Sequence, residues 1–150
     1  MRICFVALML SSFGLTGCER VENLAPPQIK YGQDECAHCG MIISDERNAA
    51  ALIVRSGDEL QTLLFDDIGD LIDFSREHPQ TQVHRRYVHD YRSRQWIDTT
   101  GAVFVRSPEL HTPIGSGIVA FGDADGAQDC LRDSHGELHQ NLDSLTTSAR

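Results

Sequence analysis

Residues 49–67 read Ala49-Ala-Ala-Leu-Ile-Val-Arg-Ser-Gly-Asp-Glu-Leu-Gln-Thr-Leu-Leu-Phe-Asp-Asp67. Two apolar-rich segments, Ala49 to Arg55 and Glu59 to Phe65, flank Ser56-Gly57-Asp58, so the stretch predicts two strands joined as a hairpin. Asp66 or Asp67 then stands where a helix needs its N-cap. Ile68, Leu71, Ile72, Phe74 and Ser75 recur at helical spacing, and Pro79 lies beyond them, which predicts a helix ending before that proline.

A second cycle follows. Val83 to Tyr91 and Trp96 to Val105 read as strands around an Arg92-Ser93-Arg94 turn, and a Pro/Gly-rich loop, His111-Thr-Pro-Ile-Gly-Ser-Gly117, leads to a short strand at Ile118 to Phe121. A helix from about Asp123 to Ser134 comes next, with Gly136 as its expected C-cap. The two cycles resemble each other. Val54-Arg55-Ser56 matches Val105-Arg106-Ser107, while Phe65, Asp67, Asp73 and Arg76 match Phe121, Asp123, Asp129 and Arg132. The offset grows from 51 to 56 residues between these two sets, which places the extra residues in the His111–Gly117 loop. The expected architecture is α+β: two pseudo-repeated strand-strand-helix units, with the helices packed on one shared antiparallel sheet.

At 150 residues, 41% hydrophobic and 7% aromatic, the chain has the composition of one ordinary domain and excludes two large ones. Its 22 acidic against 13 basic side chains give a formal charge of -9, which repels phosphate backbones and excludes nucleic acid as a partner. No apolar run reaches the length of a membrane span.

The N-terminus carries Arg2 and a short apolar stretch, Ile3 to Leu10, the pattern of an export signal. Leu15-Thr16-Gly17-Cys18 resembles a bacterial lipobox, in which Cys18 becomes the acylated first residue. Glu19 in the next position points to the outer membrane. Export places the protein in an oxidising compartment, on the periplasmic face of the envelope. Residues 1–17 remove one Arg and no acid, so 12 basic and 22 acidic residues leave a mature charge of -10. The expected organisation is a signal peptide over 1–17, a lipidated flexible tether over 18–35, a folded domain over 36–140 and a frayed tail over 141–150.

Export and lipidation leave Cys36, Cys39 and Cys130 as thiols and Met41 as the one methionine of the mature chain. Cys36-Ala-His-Cys-Gly-Met41 packs two thiols, an imidazole and a thioether into six residues, a soft donor set that favours Cu(I). Gly40 lets the backbone turn tightly enough for Cys39 and Met41 to face one ion. Zinc wants four ligands, and this segment has three good ones at most, since a thioether binds zinc poorly. Taken alone, Cys36 and Cys39 in an oxidising compartment read by default as a disulfide or a dithiol redox pair, and Met41 could begin a core strand with Ile42 and Ile43. Cys130, spaced with Ala127 and Leu131, is expected to be a small buried hydrophobe.

Further blocks accompany this segment in a fixed order: Ile43-Ser-Asp-Glu-Arg47, Phe65-Asp-Asp-Ile-Gly69, Tyr87-Val-His-Asp90, Trp96-Ile-Asp98, Ala102-Val-Phe-Val105 and Thr112-Pro-Ile-Gly-Ser-Gly117. With Cys39-Gly-Met41 and the lipobox, the chain resembles the NosL family of nitrous-oxide reductase accessory lipoproteins over about residues 36–136. The resemblance implies a periplasm-facing Cu(I) chaperone that supplies copper for the nitrous-oxide reductase centre, together with a membrane-bound copper-loading transporter complex. Family members usually have Met in the Thr-Pro-Met-Gly loop, where this chain has Ile114. They often have Cys after the Asp-Asp-Ile-Gly block, where it has Asp70. The missing thioether shifts the burden of binding, beyond Cys39 and Met41, to Cys36, His38 or His111. No catalytic constellation is present, so the expectation is a carrier and not an enzyme. An exported thiol–disulfide protein and a structural lipoprotein with a zinc or disulfide knuckle are the competing classes.

Overall fold

Gly57 adopts φ +61, the left-handed conformation that a tight hairpin turn requires and that glycine takes without strain. In the computed structural model, which describes residues 23–145, β1 (Ala50–Ser56) therefore pairs antiparallel with β2 (Glu59–Phe65), from Ser56 opposite Glu59 to Ala50 opposite Phe65. Asp67 caps α1 (Ile68–Glu77), and β3 (Val83–His89) returns antiparallel to the free side of β1. A short β4 (Trp96–Asp98) adds to β3 and completes a sheet of order β2-β1-β3-β4.

The second unit repeats this path. β5 (Val103–Arg106) pairs with β6 (Ile118–Phe121), Asp123 caps α2 (Ala124–Asp133), and β7 (Glu137–His139) returns to the free side of β5, giving the order β6-β5-β7. The repeating element is thus strand-strand-helix-strand; β3 and β7 belong to the repeat and were not legible as such. Each unit has its own sheet, in place of the single shared one expected. The physical reason lies at Asp98, whose carboxylate accepts the Thr100 amide at 2.9 Å and folds the chain into a turn. The strand expected from Trp96 to Val105 is broken there, and its two halves enter different sheets.

Period-two alternation explains how the sheets meet. Ala50, Leu52 and Val54 of β1 face the same core as Phe104 of β5 and Ile118 and Ala120 of β6, and α1 adds Ile68 and Leu71. The opposite faces form smaller clusters. Val105, Val119 and Phe121 pack under α2 with Ala127, and Leu131 and Cys130 pack against them; Cys130 is half-buried at the edge of this cluster and not the buried residue expected. Ala51, Ile53 and Tyr87 pack with Leu24, Leu60 and Trp96.

Three boundaries differ from the sequence reading. Ser134, not Gly136, caps α2, and Gly136 has no left-handed φ; a Cβ there would lie 2.5 Å from the Arg106 carbonyl oxygen, so close approach to β5 is what requires glycine. Residues expected in a free tether touch the body: Leu24 joins the third cluster and accepts a hydrogen bond from the Tyr87 hydroxyl at 2.7 Å, while Ile29 and Tyr31 pack on the main core. The expected frayed tail begins with a 3-10 turn at Leu142–Ser144, and Leu142 and Leu145 are buried in the main core. The lipobox and Cys18 lie outside the described residues.

Leu142→Ala is expected to destabilise the protein by about 2–3 kcal/mol through loss of buried methyl groups and the cavity left behind. Equilibrium urea unfolding measures it, and a change below about 0.5 kcal/mol would mean that the C-terminal turn contributes no core.

Candidate metal centre

The Cys36–Met41 segment is a knuckle. Gly40 takes φ +73, its amide donates to the Cys36 carbonyl at 3.0 Å, and the Cys36 amide donates to the Met41 carbonyl at 2.8 Å. Glu35 and Ile42 bridge at its base, and fully buried Ile43 fastens it to the main core. The Ala37 amide donates to the Leu64 carbonyl at 2.7 Å, so the knuckle is docked on the end of β2. That contact brings it against Asp66 and Asp70, one just before α1 and one in its first turn.

Four donor atoms converge here. The sulfurs of Cys36 and Cys39 and a carboxylate oxygen each from Asp66 and Asp70 all lie within 4.8 Å of one another. Cys36 Sγ donates to Asp70 Oδ2 at 3.4 Å, and Cys39 Sγ to Asp66 Oδ1 at 3.6 Å. Cys36 is 3% exposed and Asp66 and Asp70 are buried, while Cys39 sits at the open edge. Both cysteines are free thiols.

The buried charges are unequal. Asp66 is pushed up to about 6 by burial and by the neighbouring Asp70 carboxyl. Burial acts on Asp70 in the same sense, but the hydrogen bond from His38, with others from Asp66 and the two thiols, holds it below the ordinary carboxylate range. His38 Nδ1 meets Asp70 Oδ1 at 2.8 Å and its Nε2 meets Glu77 Oε2 at 3.3 Å; although burial opposes it, these two acids raise His38 above its ordinary value. Burial raises both thiols, and for Cys39 the Asp70 carboxyl and the Cys36 thiol raise it further. The thiols are therefore held protonated against the carboxylates, and an entering cation must displace those protons.

Of the residues singled out in the sequence, Cys36 and Cys39 are brought together and His38 stands behind Asp70. Met41 is 53% exposed and Ile42 44%; neither begins a core strand. His111 is exposed at the start of its loop and is not part of the four-donor cluster. The loop itself does cross to the first unit. Asp67 Oδ1 accepts the Ser116 hydroxyl at 2.5 Å as well as the Gly69 amide at 2.7 Å, and Asp67 Oδ2 accepts the Ile114 amide at 3.3 Å. Gly69 permits this approach, since a Cβ there would lie 2.6 Å from Ser116 Cβ and 3.2 Å from Ile114 Cδ1. Asp67 alone takes the capping role for which Asp66 was the other candidate, and Asp66 turns to the thiols instead. Asp66 and Asp70 were missed as site residues. Their separation of four, which puts side chains at a helix start on one side, was the available signal.

Two repeated strand-strand-helix-strand units with a thiol–carboxylate hollow under a glycine knuckle define a small protein whose clustered donors could hold a metal ion. The sequence profile of the NosL family matches residues 28–148, and the chain belongs to that family. It is 28% identical over 141 residues, covering 85% of this chain and 72% of the relative, to the copper-binding lipoprotein NosL of Stutzerimonas stutzeri. Its fold matches the crystal structure of the copper chaperone NosL from Shewanella denitrificans with a TM-score of 0.68 at 24% identity, over 81% of this chain and 98% of that one.

Asp67→Ala removes the α1 cap and leaves the Ser116 hydroxyl and the Ile114 amide without their acceptor. The expected loss is about 2–4 kcal/mol in urea unfolding. A loss no larger than that of an exposed cap, about 1 kcal/mol, would mean that the loop is not held by this carboxylate.

Proposed function

We propose that this protein is a periplasm-facing Cu(I) carrier, anchored by an acyl chain on Cys18, that supplies copper for maturation of the nitrous-oxide reductase centre. The observation that carries this reading is Cys39 at the open edge of the hollow, on a glycine turn two residues before exposed Met41. A carrier must keep Cu(I) from water and still surrender it. A thiolate gives the strong bond, and a neutral thioether gives one that exchanges easily. Cys36 stands behind Cys39 as a second thiolate; for His38 to add a nitrogen where the loop lacks a thioether it must give up its bond to Asp70 or Glu77, and for His111 to add one the loop must bring it to the cluster.

The names of the relatives, a copper-binding lipoprotein and a copper chaperone, favour a carrier over an enzyme. Handover proceeds by exchange, with donors from the partner replacing Met41 and then Cys39 on the exposed side. The partners in this reading are nitrous-oxide reductase and its membrane-bound copper-loading transporter complex. In this reading Glu19 after Cys18 directs the anchor to the outer membrane; separating inner from outer membranes checks the location, and loss of the Cys18→Ser protein from the membrane fraction checks the anchor.

A thiol–disulfide role for Cys36 and Cys39 fares worse, because each thiol faces a carboxyl, Cys36 Sγ against Asp70 at 3.4 Å and Cys39 Sγ against Asp66 at 3.6 Å, which disfavours a thiolate. Such enzymes need a thiolate of lowered pKa, whereas both thiols here are raised, by burial first and, at Cys39, by an acidic neighbour.

Anaerobic titration of the reduced full-length protein with Cu(I), against a competing chelator, tests the reading. Binding of one ion is expected, tightening with pH by about a decade per unit for each thiol that must lose its proton. Cys39→Ala should weaken it by orders of magnitude, and near-native affinity in that variant would overturn the site. Ile114→Met restores a thioether on a loop that already reaches the start of α1, so tighter binding is expected. Unchanged affinity would confine the copper ligands to the knuckle and the acids beneath it.

A further inference from the structure

The chain enters the folded body along a strap. Residues 23–31 alternate between exposed and half-buried, none of them is buried, and among the described residues no backbone–backbone hydrogen bond ties 23–29 to the body. Few contacts hold this segment. Leu24 packs against the cluster of Ala51, Ile53 and Tyr87, its carbonyl accepts the Tyr87 hydroxyl at 2.7 Å, the Tyr31 hydroxyl lies 3.5 Å from His89 Nε2, and Ile29 and Tyr31 rest half-buried on the main core. Gly32 ends the strap, with its amide fastened to the Ile43 carbonyl at 2.8 Å and a φ of +78 that glycine adopts without strain.

His89 is the weak point of the seat. It is 5% exposed, lies edge-on to Trp96 with ring centroids 3.9 Å apart, and its Nδ1 is buried without a partner. A neutral imidazole can present a lone pair there. An imidazolium must place an N–H there, with no acceptor, and a charge among aromatic rings. The groups facing the ring do little to offset that charge. Tyr31 is pushed up to about 12 by burial and by Glu46 and Asp45, and is neutral. Glu46 favours a charged His89 but pairs with Arg94 at 3.6 Å, and the Asp90 carboxylate accepts from the Ser93 and Gly122 amides. Burial outweighs Glu46 and holds the ring below the ordinary histidine range. Solvent reaches the seat through an open groove of about 630 Å³, lined by Pro26, Pro27 and Tyr31 of the strap and by His89, Arg94 and Trp96 of the β3–β4 corner.

We propose that the strap stays docked while His89 is neutral and is released when that imidazole takes up a proton from solvent, which turns residues 23–31 into free tether. In the released state the imidazolium is hydrated and the ordinary value of about 6.5 applies. Docking is therefore fully present above that pH and weakens about tenfold for each unit below it, until the docked ring itself titrates. The consequence for reach rests on the proposed acyl anchor. Leu24 lies six positions after Cys18 and Gly32 fourteen, so release extends the greatest distance between anchor and body from about 20 Å to about 50 Å.

Trp96 is the one tryptophan of the chain and Lys30 the one lysine, which supplies an energy donor and a point of attachment for an acceptor. Full-length protein in detergent, carrying a dansyl group on Lys30, is titrated from about pH 8 to about pH 5. Trp96 emission should move to longer wavelength and energy transfer should fall together, below about pH 6.5, with the far-ultraviolet circular dichroism unchanged. His89→Gln should abolish both transitions, and Tyr31→Phe should move their midpoint to higher pH by weakening the docked state. Constant energy transfer in the unsubstituted protein overturns the proposal. So does a transition that survives His89→Gln, a midpoint that Tyr31→Phe leaves in place, or an emission change at constant transfer, which would mean that the ring titrates with the strap still docked. Membrane sedimentation of the acylated protein separates the two readings: the optical transition without Cys18-dependent membrane binding supports the strap and removes the gain in reach, and membrane binding without the transition removes the strap alone.

Discussion

The carboxylate of Asp67 joins what the chain otherwise keeps apart. It caps α1 through the Gly69 amide and receives the Ser116 hydroxyl and the Ile114 amide from a loop that belongs to the second unit. One fully buried side chain therefore fixes the start of the helix that carries Asp70, and the register of the loop that crosses to it. Its two neighbours in the metal centre depend on that placement. Asp66 precedes it and Asp70 lies one helical turn on, so an error in the cap would move both carboxylates relative to the thiols.

Within the hollow, position and protonation reinforce each other. Four acidic groups are crowded where water is scarce, and the structure resolves the crowding by sharing protons: the thiols donate to the carboxylates, Asp66 is raised, and His38 sustains the charge on Asp70. Such a cluster is poorly suited to thiol redox turnover but well suited to a cation, because the ion replaces the protons that hold the groups together.

The two units show how a repeat acquires a site in one copy alone. Both hairpins run into a helix capped by aspartate, Asp67 in one and Asp123 in the other. The first hairpin continues for seven residues per strand to a tight turn, whereas the second stops after four and releases a long loop. That loop folds onto the other unit's cap. The knuckle before β1 has no counterpart before β5, where the Asp98 turn hands the chain from one sheet to the next.

Local chemistry alone settled the hairpin at Ser56-Gly57-Asp58, the helix after Asp67, the pairing of Phe65 with Phe121 across the repeat, and the donor-rich knuckle with its Gly40 turn. These depend on interactions within a few residues, on side-chain periodicity, or on one glycine's freedom at positive φ. The family resemblance was likewise carried by ordered blocks of sequence. Contacts between distant segments decided the rest. Whether Trp96 to Val105 made one strand or two depended on which sheet each half could bury its apolar face against. Whether Leu142 and Leu145 frayed or packed depended on a core assembled from both units. Cys36 and Cys39 were visible as soft donors from their spacing, but Asp66 and Asp70 read as a helix cap and a departure from family pattern. Only docking of the knuckle on the end of β2, 24 or more residues away along the chain, turned those carboxylates into neighbours of the thiols. Periodicity reports which face of an element is buried; it carries no record of what the fold places against that face.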